Sequence, residues 1–114
     1  MIIDGVEYND TILMRLEKAQ MALDRLIYHK IEGNVTDEEW DATKLIIEYN
    51  LKDNVYRVAI DFNKDVSEES REIINKMLKE VGINMDTTNG YAVTNITEKT
   101  LDGFVGLMKL DNKE

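Results

Sequence analysis

Val55-Tyr56-Arg57-Val58-Ala59-Ile60-Asp61-Phe62 decides the fold class. It is rich in β-branched and aromatic residues, and period-two alternation sets Tyr56, Val58, Ile60 and Phe62 on one face of a strand. Downstream, Asn89-Gly90 opens a second extended stretch over Tyr91 to Ile96. Between the two, Ser67 caps a helix ending near Gly82, with Ile73, Ile74, Met77, Leu78 and Val81 on one buried stripe. A helix joining two strands of one sheet predicts a right-handed parallel β-α-β unit.

Upstream, Thr36-Asp37-Glu38-Glu39 has the form of a capping box, in which a Thr hydroxyl and a Glu carboxylate satisfy each other's orphan backbone donors. The helix that follows is expected to reach about Asn50. On its wheel Trp40, Ala42, Leu45, Ile46, Ile47, Tyr49 and Leu51 fill most of the circumference. Only a narrow stripe of Asp37, Asp41, Lys44 and Glu48 is polar, so the segment reads as a nearly buried helix.

Further upstream, a long periodic segment between the N-cap candidate Asp10 and the C′ candidate Gly33 predicts a helix over about 10–32. At the start, Ile2-Ile3 and Val6-Glu7-Tyr8 flank Asp4-Gly5 as a short hairpin or a single edge strand. At the other end, Thr97 caps a last helix through about Leu110. Gly103 and Gly106 each cost that helix about 1 kcal/mol relative to Ala, so a strand over Phe104 to Leu110 competes with it. The expectation is an α+β fold, with three to four helices packed on a small sheet of two to four strands. The elements follow in β-α-α-β-α-β-α order within one domain spanning 1–114.

The chain has 114 residues, with Lys+Arg 14 against Asp+Glu 23 and a formal charge of −9. About two thirds of the open chain's surface can be buried at this length, enough for a real core. Absence of Cys removes disulfides and thiolate chemistry, and a single His is too few for a zinc constellation. No apolar run approaches the ~20 residues that cross a bilayer, so a cytoplasmic protein with no membrane partner is expected. The acid excess argues against direct nucleic-acid binding, because each neutralised phosphate needs a Lys or Arg. It suits a protein partner that carries a basic groove.

Chemistry is sparse. Neither phosphate-cradling glycine motif occurs, and neither Asp61-Phe62-Asn63-Lys64-Asp65 nor Asp86-Thr87-Thr88-Asn89-Gly90 continues as a calcium loop. No cofactor, no metal and no catalytic residue are therefore assigned. His29 is a general-base candidate by its ordinary pKa, but it also complements a helix C-terminus, as does Lys30. Asp61 stands at a strand end where ligand sites occur, and equally where aspartates cap turns. Tyr8, Tyr56 and Tyr91 offer hydroxyls, although aromatic residues on strands are usually packing.

The first long helix is apolar on two sides. Ile12, Leu16, Ala19, Leu23, Leu26 and Ile27 form one stripe, whereas Met14, Met21 and Tyr28 recur every seven residues on the opposite side. The second stripe is buried by another layer of the fold, by a second copy, or by a foreign partner. Residues 34–54 hold six acids and two bases. Carboxylates three or four apart on a helix are about 5–6 Å from one another, a spacing that can mimic nucleic-acid phosphates. Acids in first turns also simply complement helix dipoles.

The Ile-, Asn-, Asp- and Lys-rich, Pro-free composition resembles that of small accessory proteins of low-GC bacteria and their phages. The leading expectation is a small acidic non-enzymatic protein-binding module, a phage-type inhibitor of a host nucleic-acid enzyme. Its partner-binding residues are Met14, Met21, Tyr28, Asp37, Asp41 and Glu48. The alternatives are a toxin-neutralising immunity protein and a structural homo-oligomer, a homodimer, joined through the Met/Tyr stripe.

Overall fold

A computed structural model describes residues 2–3, 6–7, 10–87 and 89–111. Two short strands, β1 (Ile2–Ile3) and β2 (Val6–Glu7), pair antiparallel with Ile3 opposite Val6. The Asp4-Gly5 turn, Tyr8 and the capping side chain of Asp10 lie outside the described parts. There follow α1 (Asp10–Ile31), the single-turn α2 (Asp37–Asp41), β3 (Thr43–Asn50), β4 (Val55–Phe62), α3 (Glu68–Glu80), β5 (Tyr91–Ile96) and α4 (Glu98–Asp111).

Local signals fix several boundaries. Thr36 Oγ1 accepts the Glu39 amide at 3.1 Å, the N-cap half of the expected box, and its hydroxyl donates to Glu39 Oε1 at 3.2 Å. Ser67 and Thr97 each accept an amide proton three residues on, at 3.2 Å, from Ser70 and Thr100. α3 stops in a Schellman turn: Gly82, at φ +90°, donates to Lys79 O, and Ile83 donates to Leu78 O at 2.9 Å. The side chains of Leu78 and Ile83 are both buried there. The last segment is helical, with Leu101 and Phe104 in the core, so the competing strand does not form.

The second helix of the sequence reading is corrected. Only its first turn exists as α2; residues 43–50 form β3, paired antiparallel with β4 from Thr43↔Phe62 to Asn50↔Val55. Thr43, Leu45 and Ile47 point into the core, whereas Lys44 and Ile46 point out. An apolar outward residue, Ile46, hides this alternation and makes the run look apolar all round. The turn between the strands has its own device: Asn50 Oδ1 accepts the Lys52 amide at 3.0 Å, and Asn54 takes φ +55°.

The parallel β-α-β unit is corrected too. β4 and β5 are antiparallel neighbours, Asp61 opposite Tyr91 and Tyr56 opposite Ile96. Path length explains this. α3 carries the chain out by about 20 Å, and the stretch from Ile83 to Gly90 can return it by a similar distance at about 3.3 Å per residue. Ile83 and Thr87 are buried on this return, and Asn75 of α3 donates to the Thr87 hydroxyl. β5 therefore starts where β4 ended, and the Phe62 amide donates to Gly90 O at 2.8 Å.

The main sheet has the order β3-β4-β5. α1 lies against α3, α4 and β3, and one core joins helix residues such as Leu23, Ile27, Ile74 and Phe104 to Tyr56, Val58, Ile60 and Phe62. Arg15 ties α1 to α4, its Nε 3.3 Å from Asp102 Oδ1. The smallest extent, 22 Å, matches a helical layer on one sheet. Among the described residues, no helix covers the opposite side of the sheet.

Candidate functional site

That uncovered side is built by register. The rows across β3, β4 and β5 are Lys44–Asp61–Tyr91, Ile46–Ala59–Val93 and Glu48–Arg57–Asn95. The central row is apolar, and Tyr91 beside it is 57% exposed. Charges flank this row and cancel: Lys44 stands opposite Asp61, and Arg57 Nη2 donates to Glu48 Oε1 at 2.6 Å. A face with no net charge in a chain of −9 means that the whole excess of acid lies elsewhere.

The two edges of the sheet differ. In an antiparallel ladder alternate residues turn both backbone polar groups away from the partner strand. On β3 these include Leu45 and Ile47, and a single side chain occupies them: Gln20 of α1 donates through Nε2 to Leu45 O at 2.9 Å. Its Oε1 accepts the Ile47 amide at 2.7 Å. On β5 the residues turned outward are Tyr91, Val93 and Asn95. No hydrogen bond among the described residues reaches their backbone groups from outside the sheet. From Thr87 to Thr97 there is also no Asp, Glu, Lys or Arg, the longest uncharged run of the chain.

The helical side carries the other candidates. Ala19, Leu23, Leu26 and Ile27 of α1 are buried as expected, and Met14 and Met21 on the far side are 55% and 64% exposed. Met14 lines an open groove of about 500 Å³ with Arg15, Asp102 and Val105; Met21 lines another of about 460 Å³ with Leu13, Glu17 and Ile47. Tyr28 is half-buried, and its hydroxyl donates to Asp37 Oδ1 at 3.1 Å. This hydrogen bond and the charge of Asp37 raise the Tyr28 pKa, partial burial adds to it, and Glu32 and Asp41 contribute at longer range, so Asp37 is the carboxylate in contact with the phenol.

The structure thus brings together Tyr28, Asp37 and Asp41, and adds Glu32, which the sequence did not single out. It separates Glu48, which belongs to the uncovered sheet side. Ile46, Tyr91 and Val93 were also missed as surface features. For Tyr91 and Val93 the signal was the charge-free run around β5, whereas Ile46 sits in an apolar run whose alternation it hides.

Other polar groups have structural tasks. Glu39 Oε2 accepts the Ser67 amide at 2.9 Å, joining α2 to α3, and this bond, with the Ser70 and Ser67 side chains, lowers its pKa to about 2. Asp24 is raised by partial burial, against a 3.0 Å bond from Gln20 that lowers it. His29 is exposed, its ring meeting Tyr28 edge-on at 6.4 Å. Tyr56 is buried against Tyr49, and Asp61 is exposed at the end of β4. Among the described residues no group of three or more His, Asp or Glu is placed to hold a metal ion. No helix there is long and apolar enough to cross a membrane. Comparison with protein-family models, curated proteins and solved structures finds no match to this chain.

Proposed function

We propose that the chain is a small acidic protein-binding module, non-enzymatic, that occupies the basic groove of a nucleic-acid enzyme such as a restriction or CRISPR nuclease. The observation that carries this reading is the segregation of charge: the uncovered sheet side is balanced, α1, α3 and α4 together carry only −1, and residues 32–41 alone carry −5 of the −9. Glu32, Asp37 and Asp41 around Tyr28 form its best-defined patch, and exposed Met21 on the same helix supplies an adaptable apolar anchor. Such an anionic surface accelerates encounter with a cationic groove and excludes anionic competitors.

DNA-cleavage assays with a panel of such nucleases test this reading. Inhibition is expected to compete with DNA, to weaken as salt rises, and to fall in the triple variant Glu32→Gln, Asp37→Asn, Asp41→Asn. Equal inhibition by that variant, or an association rate indifferent to ionic strength, overturns the acidic-surface reading.

A further inference from the structure

We infer that β5 is a dimerisation edge: it pairs antiparallel with β5 of a second copy, centred on Val93, to make one continuous six-stranded sheet. The observations lie outside the acidic side and do not depend on its role. An edge strand with unpaired backbone groups is a template for another strand, and proteins that remain monomeric block it with charges, proline or a covering group. β3 is blocked in this way by Gln20 and carries Lys44 and Glu48. β5 has no charge, no proline and, among the described residues, no covering group.

The pattern on β5 also suits a copy of itself. Its outward-turned backbone groups belong to Tyr91, Val93 and Asn95, which are symmetric about Val93. A two-fold axis there sets Val93 opposite Val93 of the second copy and Tyr91 opposite its Asn95, and each such pair exchanges both N–H and C=O. The central row of the uncovered side then runs as Ile46–Ala59–Val93 and onward into Val93, Ala59 and Ile46 of the second copy, an unbroken apolar band.

Charge selects this occupant. Two molecules of −9 repel over most of their surfaces, but they can approach along the longest uncharged run of the chain and beside a face whose charges cancel. A strongly cationic partner would gain nothing at that strand. Self-association should therefore strengthen as salt screens the mutual repulsion, the reverse of the dependence expected for a basic partner on the helical side.

Sedimentation of the full chain across about 1 to 500 μM is the test, since a modest interface of this kind falls in the micromolar range. The expected result is a monomer–dimer equilibrium that tightens with added salt. Val93→Pro removes an N–H that the β4 ladder does not use and should lower the association constant by about tenfold or more. Val93→Lys, which keeps that N–H and sets like charges face to face, should do the same. In the wild type, hydrogen exchange at the amides of Tyr91, Val93 and Asn95 should slow as concentration rises. The amides of Ala92 and Thr94, already in the β4 ladder, should not change.

A wild-type monomer throughout the range overturns the inference, as does a dimer that both Val93 variants leave intact. A dimer disrupted by Ile46→Lys but not by either Val93 variant also overturns it, because the contact would then be a stacking of faces.

Discussion

Gln20 Oε1 and the Ile47 amide, 2.7 Å apart, make a helix side chain act as the missing neighbour of an edge strand. The same carboxamide donates to Leu45 O, so donor and acceptor sit two residues apart along the strand, as they would on a fourth strand. The local consequence is protection of β3, and the global one is alignment of α1 on the sheet. Gln20→Leu keeps the volume, removes both strand bonds and the 3.0 Å bond to Asp24, and leaves a part-buried N–H and C=O unsatisfied. It should cost about 1–3 kcal/mol. Urea unfolding should show a lower midpoint with an unchanged slope; a loss within error would mean that water replaces the side chain at no cost.

How far the sequence reached depends on the range of the interaction that decides each element. β4, α3 and the buried stripe of α1 follow from patterns within one element, and residues such as Val58, Ile74 and Leu23 lie where those patterns put them. The segment 43–50 failed because its outward residue Ile46 is apolar, and a run like Leu45-Ile46-Ile47 satisfies helix and strand alike. Strand direction failed for a different reason: it depends on whether the return from α3 is made before or after the chain reaches the sheet. The seven-residue spacing put Met14 and Met21 opposite the buried stripe and left open whether another layer covers them; none among the described residues does, and both are exposed. The meeting of Tyr28 with Asp37 was not, since it requires the reversal at Gly33, where φ is +86°.

Glu39 links two helix starts and should give the protein an acid-sensitive seam. Its pKa is lowered from 4.5 to about 2, chiefly by the Ser67 amide. A depressed folded pKa contributes stability that is present above 4.5 and is lost as pH falls toward 2. Glu39→Gln keeps an acceptor and removes the charge. The difference in stability between wild type and this variant should be constant near neutrality and shrink through that window. Chemical unfolding at a series of pH values measures it, and a difference that does not change with pH would rule out the Glu39 contribution.

Tyr28 reports on the acidic patch at the opposite end of the scale. Its hydrogen bond to Asp37 and the nearby carboxylates hold the phenol protonated beyond its ordinary value of 10.0. A raised folded pKa contributes stability that is present below that value and is lost as pH climbs through the folded one. Ultraviolet titration should therefore show one tyrosine ionising after exposed ones, and Asp37→Asn should bring it back toward them. An unchanged titration in the variant would separate Tyr28 from the patch.

Gly103 and Gly106 lie inside α4 and have no conformational reason to be glycine. Neither has a positive φ, and a Cβ added at either would meet nothing within 4 Å. A helical glycine costs about 0.5–1 kcal/mol relative to Ala, through the freedom it retains in the unfolded chain. The helix nevertheless forms because Leu101 and Phe104 are sealed in the core and Arg15 reaches Asp102 across from α1. Gly103→Ala and Gly106→Ala should each stabilise by about 0.5–1 kcal/mol, and their effects should be nearly additive because neither methyl touches another element. Urea unfolding of the two single variants and the double variant checks this. Destabilisation by either would show that a Cβ at its site meets a neighbour in the folded chain.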